Sequence, residues 1–253
     1  MPSRCKTLCS LLVLLLAFTA AAAAKVSRED LRTFPLSPAG RLSLDNVNGD
    51  VTIEGWDRDE VSVETVIRAE TQQSLDEVTV SIDAGGDRIH IETVYPDRHF
   101  GRREAAIVDY TIHMPRGARL DGVDLVNGSL SLSGLGGDVK AELVNGRATA
   151  RNLAGNVEIS TVNGSLDVAL DELAAGQAIE LESVNGSLDL AVPGRADAEI
   201  RAETVHGRIR NDFGLEEEKD EYVGSSLSGT LGRGGARVEL ENVNGSIDIR
   251  LGS

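Results

Sequence analysis

The sequence predicts an all-β protein, a β-solenoid that resembles a single-stranded β-helix with about 18–22 residues per coil. The tripeptide Val-Asn-Gly occurs six times, and Val205-His206-Gly207 is a near copy. From Gly128 to Gly207 the successive spacings are 18, 18, 22 and 21 residues, a range typical of one solenoid coil. The predicted turn glycines are Gly49, Gly128, Gly146, Gly164, Gly186, Gly207 and Gly245.

Each repeat is expected to hold two strands. Gly137, Gly155 and Gly176 lie about halfway between successive Asn-Gly pairs, so two turns divide each repeat. The runs between them alternate apolar and polar residues, which directs one face inward and the other toward water. With only 3% aromatic residues, the core is expected to be aliphatic.

The N-terminal residues predict export. Residues 1–24 combine a basic start, an apolar run and an alanine-rich cleavage site, the pattern of a secretory signal peptide. Both cysteines, Cys5 and Cys9, lie in this segment, so the mature chain is expected to have no disulfide. The predicted location is the periplasm, the cell surface or the medium.

The rest of the chain divides into three predicted parts. Residues 25–40 form a lead-in segment with little periodicity, and regular strands are expected to start at Arg41. Residues 41–119 form an irregular β-region, and residues 120–253 form the repeat solenoid with an insertion at 214–235.

The motif asparagines are predicted to form a structural ladder. Strand alternation puts them on the inward phase, where stacked carboxamides donate to one another along the axis. His206 replaces asparagine once and is expected to join the ladder, because a single histidine supplies too few ligands for zinc. The predicted ladder is Asn48, Asn127, Asn145, Asn163, Asn185, His206 and Asn244.

The motif valines fall on the outward phase. They are predicted to form an apolar stripe that either the N-terminal β-region or a partner covers, since contiguous exposed apolar patches usually mark interfaces. The candidate partner stripe is Val126, Val144, Val162, Val184, Val205 and Val243.

A second geometry fits the same pattern. Asn-Gly between alternating strands is also a strong hairpin signal, so an antiparallel β-meander or sandwich stays open as the alternative fold.

Composition narrows the partner classes. The chain has 25 basic and 41 acidic residues, a net charge of −16, which argues against nucleic acid. No cofactor, metal ion or catalytic group is expected, because nucleophile, phosphate-loop and zinc motifs were all absent from the sequence. An acidic run in the insertion is the candidate partner loop: Glu216, Glu217, Glu218, Asp220 and Glu221.

The chain resembles the bacterial putative-adhesin family of exported β-strand-repeat proteins, a domain of unknown function. The resemblance covers residues 40–253. In the N-terminal half it rests on Gly40-Arg41-Leu42-Ser43-Leu44, Asn48-Gly49-Asp50-Val51, Ile53-Glu54-Gly55 and Ile112-His113-Met114-Pro115. In the C-terminal half it rests on the Asn-Gly repeats and on Gly232–Gly235 before Asn244-Gly245-Ser246-Ile247. It implies a non-enzymatic β-solenoid exposed in the cell envelope.

The function predicted from sequence is therefore a binding or scaffold module in the envelope, with an unknown protein or glycan as partner and no membrane span in the mature chain. One alternative is a regulatory partner in envelope-stress sensing, which predicts the insertion loop as the contact surface. The other is a polysaccharide-acting β-helix enzyme, which predicts acids clustered in an open groove.

Overall fold

A computed structural model describes residues 25–96, 106–219 and 224–252. These residues form 21 strands and one helix, α1 (Gln72–Asp76). The strands are β1 (Val26–Pro35), β2 (Arg41–Asn48), β3 (Val51–Trp56), β4 (Glu60–Ala69), β5 (Thr79–Gly85), β6 (Arg88–Val94), β7 (Ile107–Pro115), β8 (Arg119–Asn127), β9 (Leu130–Ser133), β10 (Val139–Asn145), β11 (Ala148–Arg151), β12 (Val157–Asn163), β13 (Leu166–Ala169), β14 (Ala178–Asn185), β15 (Leu188–Val192), β16 (Ala198–His206), β17 (Ile209–Asn211), β18 (Glu217–Lys219), β19 (Ser225–Leu231), β20 (Ala236–Asn244) and β21 (Ile247–Leu251).

The strands form two large mixed sheets. Sheet A has ten strands in the order β1-β4-β7-β3-β9-β11-β13-β15-β21-β17, and sheet B has eleven in the order β18-β19-β16-β20-β14-β12-β10-β8-β2-β6-β5. The prediction of an all-β protein is confirmed. The predicted signal peptide, residues 1–24, lies outside the described residues.

Each repeat contributes one longer strand to sheet B and one shorter strand to sheet A. In the repeat of β10 and β11, the Asn-Gly corner connects the two sheets. Strands of successive repeats pair in parallel and in register, for example Val139 with Val157 and Asn145 with Asn163, apart from a one-residue irregularity in β8. The antiparallel meander is therefore wrong for the repeats, because Asn-Gly joins strands of different sheets and closes no hairpin.

The spatial order of the layers departs from chain order at both ends. The last pair, β20 and β21, lies between β14–β15 and β16–β17, while β2–β3 lies between β6–β7 and β8–β9. At the C-terminal end the insertion makes this possible. Strand β19 runs antiparallel to β16 and returns the chain, so that β20 can pair in parallel with both β14 and β16.

Residues 41–56 form a layer of the same kind as the later repeats. Strand β2 pairs in parallel with β8, with Asn48 opposite Asn127, and β3 pairs in parallel with β9. The two sheets thus run without a break across residue 120. The proposed domain division at this residue stays a prediction about folding units.

The segment before Arg41 contains a regular strand. The expectation that strands begin only at Arg41 is wrong, because β1 pairs antiparallel with β4 over ten residues. Nearly all of β1 is exposed on both faces, so it carries no apolar alternation that would reveal a strand in the sequence.

The core is an aliphatic interior between the two sheets. Inward positions stack residue upon residue along the axis, as in the row Leu130, Ala148, Leu166, Leu188 and Ile247, each at most 1% exposed. Burying one Leu or Ile side chain contributes roughly 1.5–3 kcal/mol. The layers are therefore held by side-chain stacking as well as by the backbone hydrogen bonds of the sheets.

Candidate functional site: the Asn-Gly edge

The Asn-Gly corners lie above one another and form one edge of the stack, here called the Asn-Gly edge. Its side-chain amides form a continuous hydrogen-bonded ladder. Asn127 Nδ2 donates to Asn48 Oδ1 at 2.9 Å, and each later asparagine donates to its neighbour at 3.0 Å, in the order Asn145 to Asn127, Asn163 to Asn145, Asn185 to Asn163 and Asn244 to Asn185.

The expected inward position of these asparagines is wrong. Asn127, Asn145, Asn163, Asn185 and Asn244 are exposed. The last inward residue of each sheet B strand stands two positions earlier, as Leu143 and Thr161 do, and the chain then leaves the strand to cross between the sheets. Strict alternation ends there, so the ladder lies at the rim of the core, where water also reaches the amides.

His206 takes the corner position in the outermost layer. Its backbone follows the ladder, since the His206 carbonyl accepts from the Gly245 N–H and His206 stands opposite Asn244. The expected participation of its ring is not seen, because no hydrogen bond joins the ring to another described residue. The side-chain ladder ends at Asn244.

What the corner glycines have in common is a lack of space for a side chain. They do not all share one backbone φ angle. A Cβ atom on any of them would overlap a backbone carbonyl of the adjacent layer, for example that of Gly146 in the case of Gly164. Positive φ occurs at some corners, such as Gly49 with 131°, but not at Gly146 or Gly164. The repeated glycine is therefore required by the close approach of stacked backbones.

A row of inward hydroxyl and amide groups supports the corners in the C-terminal layers. Ser183 Oγ donates to Gly164 O at 3.3 Å, Asn242 Nδ2 to Gly186 O at 2.8 Å and Thr204 Oγ1 to Gly245 O at 3.2 Å. Sequence reasoning missed this row. Its signal in the sequence is the residue two positions before the motif asparagine, which is leucine in the early repeats and polar in the later ones.

The motif valines form an exposed row beside the ladder. Val47, which the sequence prediction omitted, extends it to seven layers. The valine row, in spatial order with the exposed fraction of each residue, is Val47 39%, Val126 37%, Val144 41%, Val162 43%, Val184 40%, Val243 40% and Val205 46%. No described N-terminal strand covers it, contrary to one of the two expectations for this stripe.

Carboxylates form a parallel row two residues before the valines. This acid row consists of Asp45, Asp124, Glu142, Glu182, Glu241 and Glu203, with Ser160 in place of an acid on β12. Like charges on neighbouring strands repel. Burial raises the pKa of Glu241, and the carboxylates of Glu182, Glu239, Glu203 and Glu180 raise it further.

The two rows line a groove at the C-terminal end. The groove has a volume of about 480 Å³, with Glu182, Glu203 and Glu241 on one side and the valines from Val162 to Val205 on the other. Gly224–Ser226 at the start of β19 lines it as well. Of the described residues that line the groove, none is aromatic or basic. It offers apolar contact and negative charge side by side.

The candidate partner loop is a hairpin that ends sheet B. Glu216 is exposed, and Glu217 and Glu218 belong to β18, which pairs antiparallel with β19. Asp220 and Glu221 lie outside the described residues. In the described part of the chain the acidic run is therefore partly a sheet strand, where the sequence suggested a loop.

The described residues contain neither a metal-binding cluster nor a membrane-spanning helix. Within them, no three or more histidine, cysteine, aspartate or glutamate side chains are arranged to hold a metal ion. No helix in residues 25–96, 106–219 and 224–252 has the length and apolar character needed to cross a bilayer.

These features define an all-β repeat protein whose Asn-Gly edge carries an acid row beside an exposed apolar row. The chain belongs to the Toastrack DUF4097 family, whose model matches residues 38–250. The predicted membership of a putative-adhesin family of unknown function is thereby confirmed. No curated protein matches the chain significantly.

One solved structure shares the fold at low sequence identity, and a second is less similar. A putative cell adhesion protein from Clostridium sporogenes has a TM-score of 0.51 at 12% identity, with 90% of this chain and 100% of that chain covered. A putative adhesin from Bacteroides fragilis has a TM-score of 0.41 at 12% identity, with coverages of 88% and 96%. At this identity the first likeness supports the fold alone.

Proposed function

We propose that this protein is an exported β-solenoid that binds a partner in the bacterial cell envelope as an adhesin-like or scaffold module. The single observation that carries the proposal is the valine row, which stays exposed along seven layers of a folded chain. Contiguous apolar surface of this kind usually marks an interface. The signal-peptide pattern of residues 1–24 supports export to the periplasm or cell surface.

The stack supplies a rigid frame for such a surface. Backbone pairing fixes every layer to its neighbour, and the amide ladder fixes the corner beside every valine of the row except Val205. A partner that contacts the row meets side chains at a constant strand spacing of about 4.8 Å. Little ordering of the protein is then required on binding, which favours affinity.

Capture from envelope extract tests this function. We expect the wild-type protein to retain a component that the double variant Val162→Lys, Val184→Lys does not retain, because two charges interrupt the apolar row. The matched control is Ala169→Lys, Ala191→Lys, which changes two in-register positions on the outer face of sheet A. Melting curves establish that all three proteins are folded.

The outcome identifies the surface. Loss in the valine variant alone supports the proposal, while equal capture by all three proteins removes the valine row as the binding surface. A third variant, Glu216→Gln with Glu217→Gln and Glu218→Gln, tests the regulatory-partner alternative. Selective loss in that variant would place the contact on the β18–β19 hairpin instead.

One observation favours a second candidate function. Three carboxylates line one side of the groove, and clustered acids in an open groove are what the sequence associates with a polysaccharide-acting enzyme. Such enzymes use a carboxyl pair flanking the scissile bond, and the raised pKa of Glu241 suits a proton donor. Release of reducing ends from an envelope polysaccharide, abolished by Glu241→Gln, would establish this function in place of the binding role.

A further inference from the structure

Among the described residues, strand β1 leaves one backbone edge of sheet A without a partner. It is the terminal strand of the sheet and pairs only with β4 among the described residues. With ten residues it is also the longest of the four sheet-terminal strands, since β17 and β18 have three residues each and β5 has seven. A long, regular edge is a template for pairing with another chain.

The side chains of β1 combine an exposed apolar residue with charges of both signs. Leu31, at the middle of the strand, is 66% exposed, the largest value among the exposed large hydrophobic residues of the described chain. Proline stands only at the final position, Pro35, where it leaves the rest of the edge free to pair. Asp30 and Arg32 flank Leu31, are about half exposed and form an ion pair with Arg32 Nε to Asp30 Oδ2 at 2.6 Å.

We propose that two copies of this chain form a two-fold dimer by antiparallel pairing of their β1 strands. A two-fold interface brings the same surface of both copies together, so the strand must complement itself. If Leu31 lies on the axis, it faces Leu31 of the second copy. Asp30 then faces Arg32 of the second copy on each side of the axis, and Glu29 faces Thr33.

Charge selects this register over its neighbours. Moving the axis to Asp30 would place Arg28 opposite Arg32, and moving it to Arg32 would place two arginines face to face. Like charges directly opposite each other on paired strands are destabilising, whereas opposite charges stabilise. Within β1, only the register centred on Leu31 places opposite charges, Asp30 and Arg32, directly opposite each other without opposing any like charges.

The interface is expected to be modest in strength. One strand pair buries less than the roughly 1,200 Å² typical of stable interfaces, so the dimer should dissociate in the micromolar range or above. Analytical ultracentrifugation across a concentration series should therefore show an average mass that rises from monomer toward dimer. A monomer at every concentration would overturn the proposal.

Charge reversal tests the register. Asp30→Arg should weaken dimerisation about tenfold or more, because two arginine pairs then face each other across the axis. The double variant Asp30→Arg, Arg32→Asp restores opposite charges and should recover the dimer. Recovery supports the Leu31-centred register, and a double variant as weak as the single one contradicts it.

A cysteine on the axis provides an independent test. In a Cys5→Ser, Cys9→Ser background, Leu31→Cys should form a disulfide-linked dimer under mild oxidation. The matched control is Leu251→Cys, since Leu251 is also highly exposed at 58% but lies at the other end of the stack. Crosslinking that is no faster for Leu31→Cys than for this control would contradict the proposed dimer.

Discussion

The two edges of the stack connect the same sheets in different ways. At the Asn-Gly edge every corner has the same length and the same glycine, and one continuous amide ladder joins all the corners except that of His206. At the opposite edge the connections differ, with five residues at 134–138 and at 152–156 but eight at 170–177. One edge with uniform corners is thus sufficient to keep the layers in register, and the connections at the opposite edge can vary in length.

Charge distinguishes the two edges as well. Near the opposite edge, carboxylates face cations, as in Asp138 with Arg119 at 3.5 Å and Asp197 with Arg233 at 3.1 Å. Hydrogen bonds from Arg233 lower the pKa of Asp197. Along the acid row, neighbouring carboxylates contribute to raised pKa values at Asp124 and Glu241, in addition to burial. The acid row thus stores repulsion, which Lys140 beside Glu142 relieves locally and which a cationic partner would relieve further.

The largest expected difference between the edges concerns glycine. Gly164→Ala should destabilise the fold by about 3 kcal/mol or more, because its Cβ meets the Gly146 carbonyl and the layers must separate. Gly176→Ala at the opposite edge has open space and only the strain of φ = 85°, a cost of about 1–2 kcal/mol. Urea unfolding of both variants measures the difference.

A neutral control accompanies this pair. Gly122→Ala in β8 meets no atom within 4 Å and needs no positive φ, so it should leave the free energy of unfolding nearly unchanged. If Gly164→Ala were no more destabilising than Gly176→Ala, close stacking at the Asn-Gly edge would not be what holds the layers in register.

A smaller effect is expected from the amide ladder. Asn163→Ala removes the bond donated to Asn145 and the bond accepted from Asn185, a loss of about 1 kcal/mol for solvent-exposed amides. His206→Ala serves as the control, since its ring has no hydrogen bond to a described residue. Thermal unfolding that gives equal values for both variants would mean that the ladder adds nothing to stability.

The smallest expected effects are opposite pH responses of the two edges. The raised pKa of Glu241 means that its charge opposes folding above that pKa, and this penalty disappears as the pH falls below it. The lowered pKa of Asp197 means that its charge favours folding above the ordinary value of 3.8, a contribution lost as the pH falls further.

Unfolding measured from pH 3 to pH 8 should separate the two groups. Glu241→Gln should stabilise the protein slightly at neutral pH, and Asp197→Asn should destabilise it slightly. The effect of Glu241→Gln should vanish at the acidic end, where the wild-type Glu241 is protonated, whereas the effect of Asp197→Asn should only diminish there, because the pKa of Asp197 is lowered. Shifts of the same sign at neutral pH would contradict the charge difference between the edges.

Much of the local structure was predictable. The spacing of Val-Asn-Gly gave the strands of the repeats, and alternation placed Leu166, Val168, Leu188 and Leu190 in the core, where all four are fully buried. Prediction failed where alternation carries no signal. Strand β1 has no buried face, and the corner asparagines follow the last inward residue at a point where the chain leaves the strand.

The layer order could not be predicted because identical motifs pair equally well with several neighbours. The layer of Asn185 could be followed in the stack by the layer of His206 or by that of Asn244, because both carry the same corner pattern. No local feature shows that the layer of Asn244 lies between the other two. The antiparallel return through β19 decides this order, since it brings β20 between β14 and β16. A reversal of this kind depends on contacts between residues far apart in sequence.

The sequence by itself determined the all-β class, the aliphatic core, the seven corners and the exposure of the valines. These follow from local periodicity and from the φ and space requirements of Asn-Gly. Only the tertiary structure decided the order of the layers, the open edge of β1 and the groove between the valine row and the acid row. Each of these arises when strands from separate repeats come to lie side by side, a relation that no local pattern encodes.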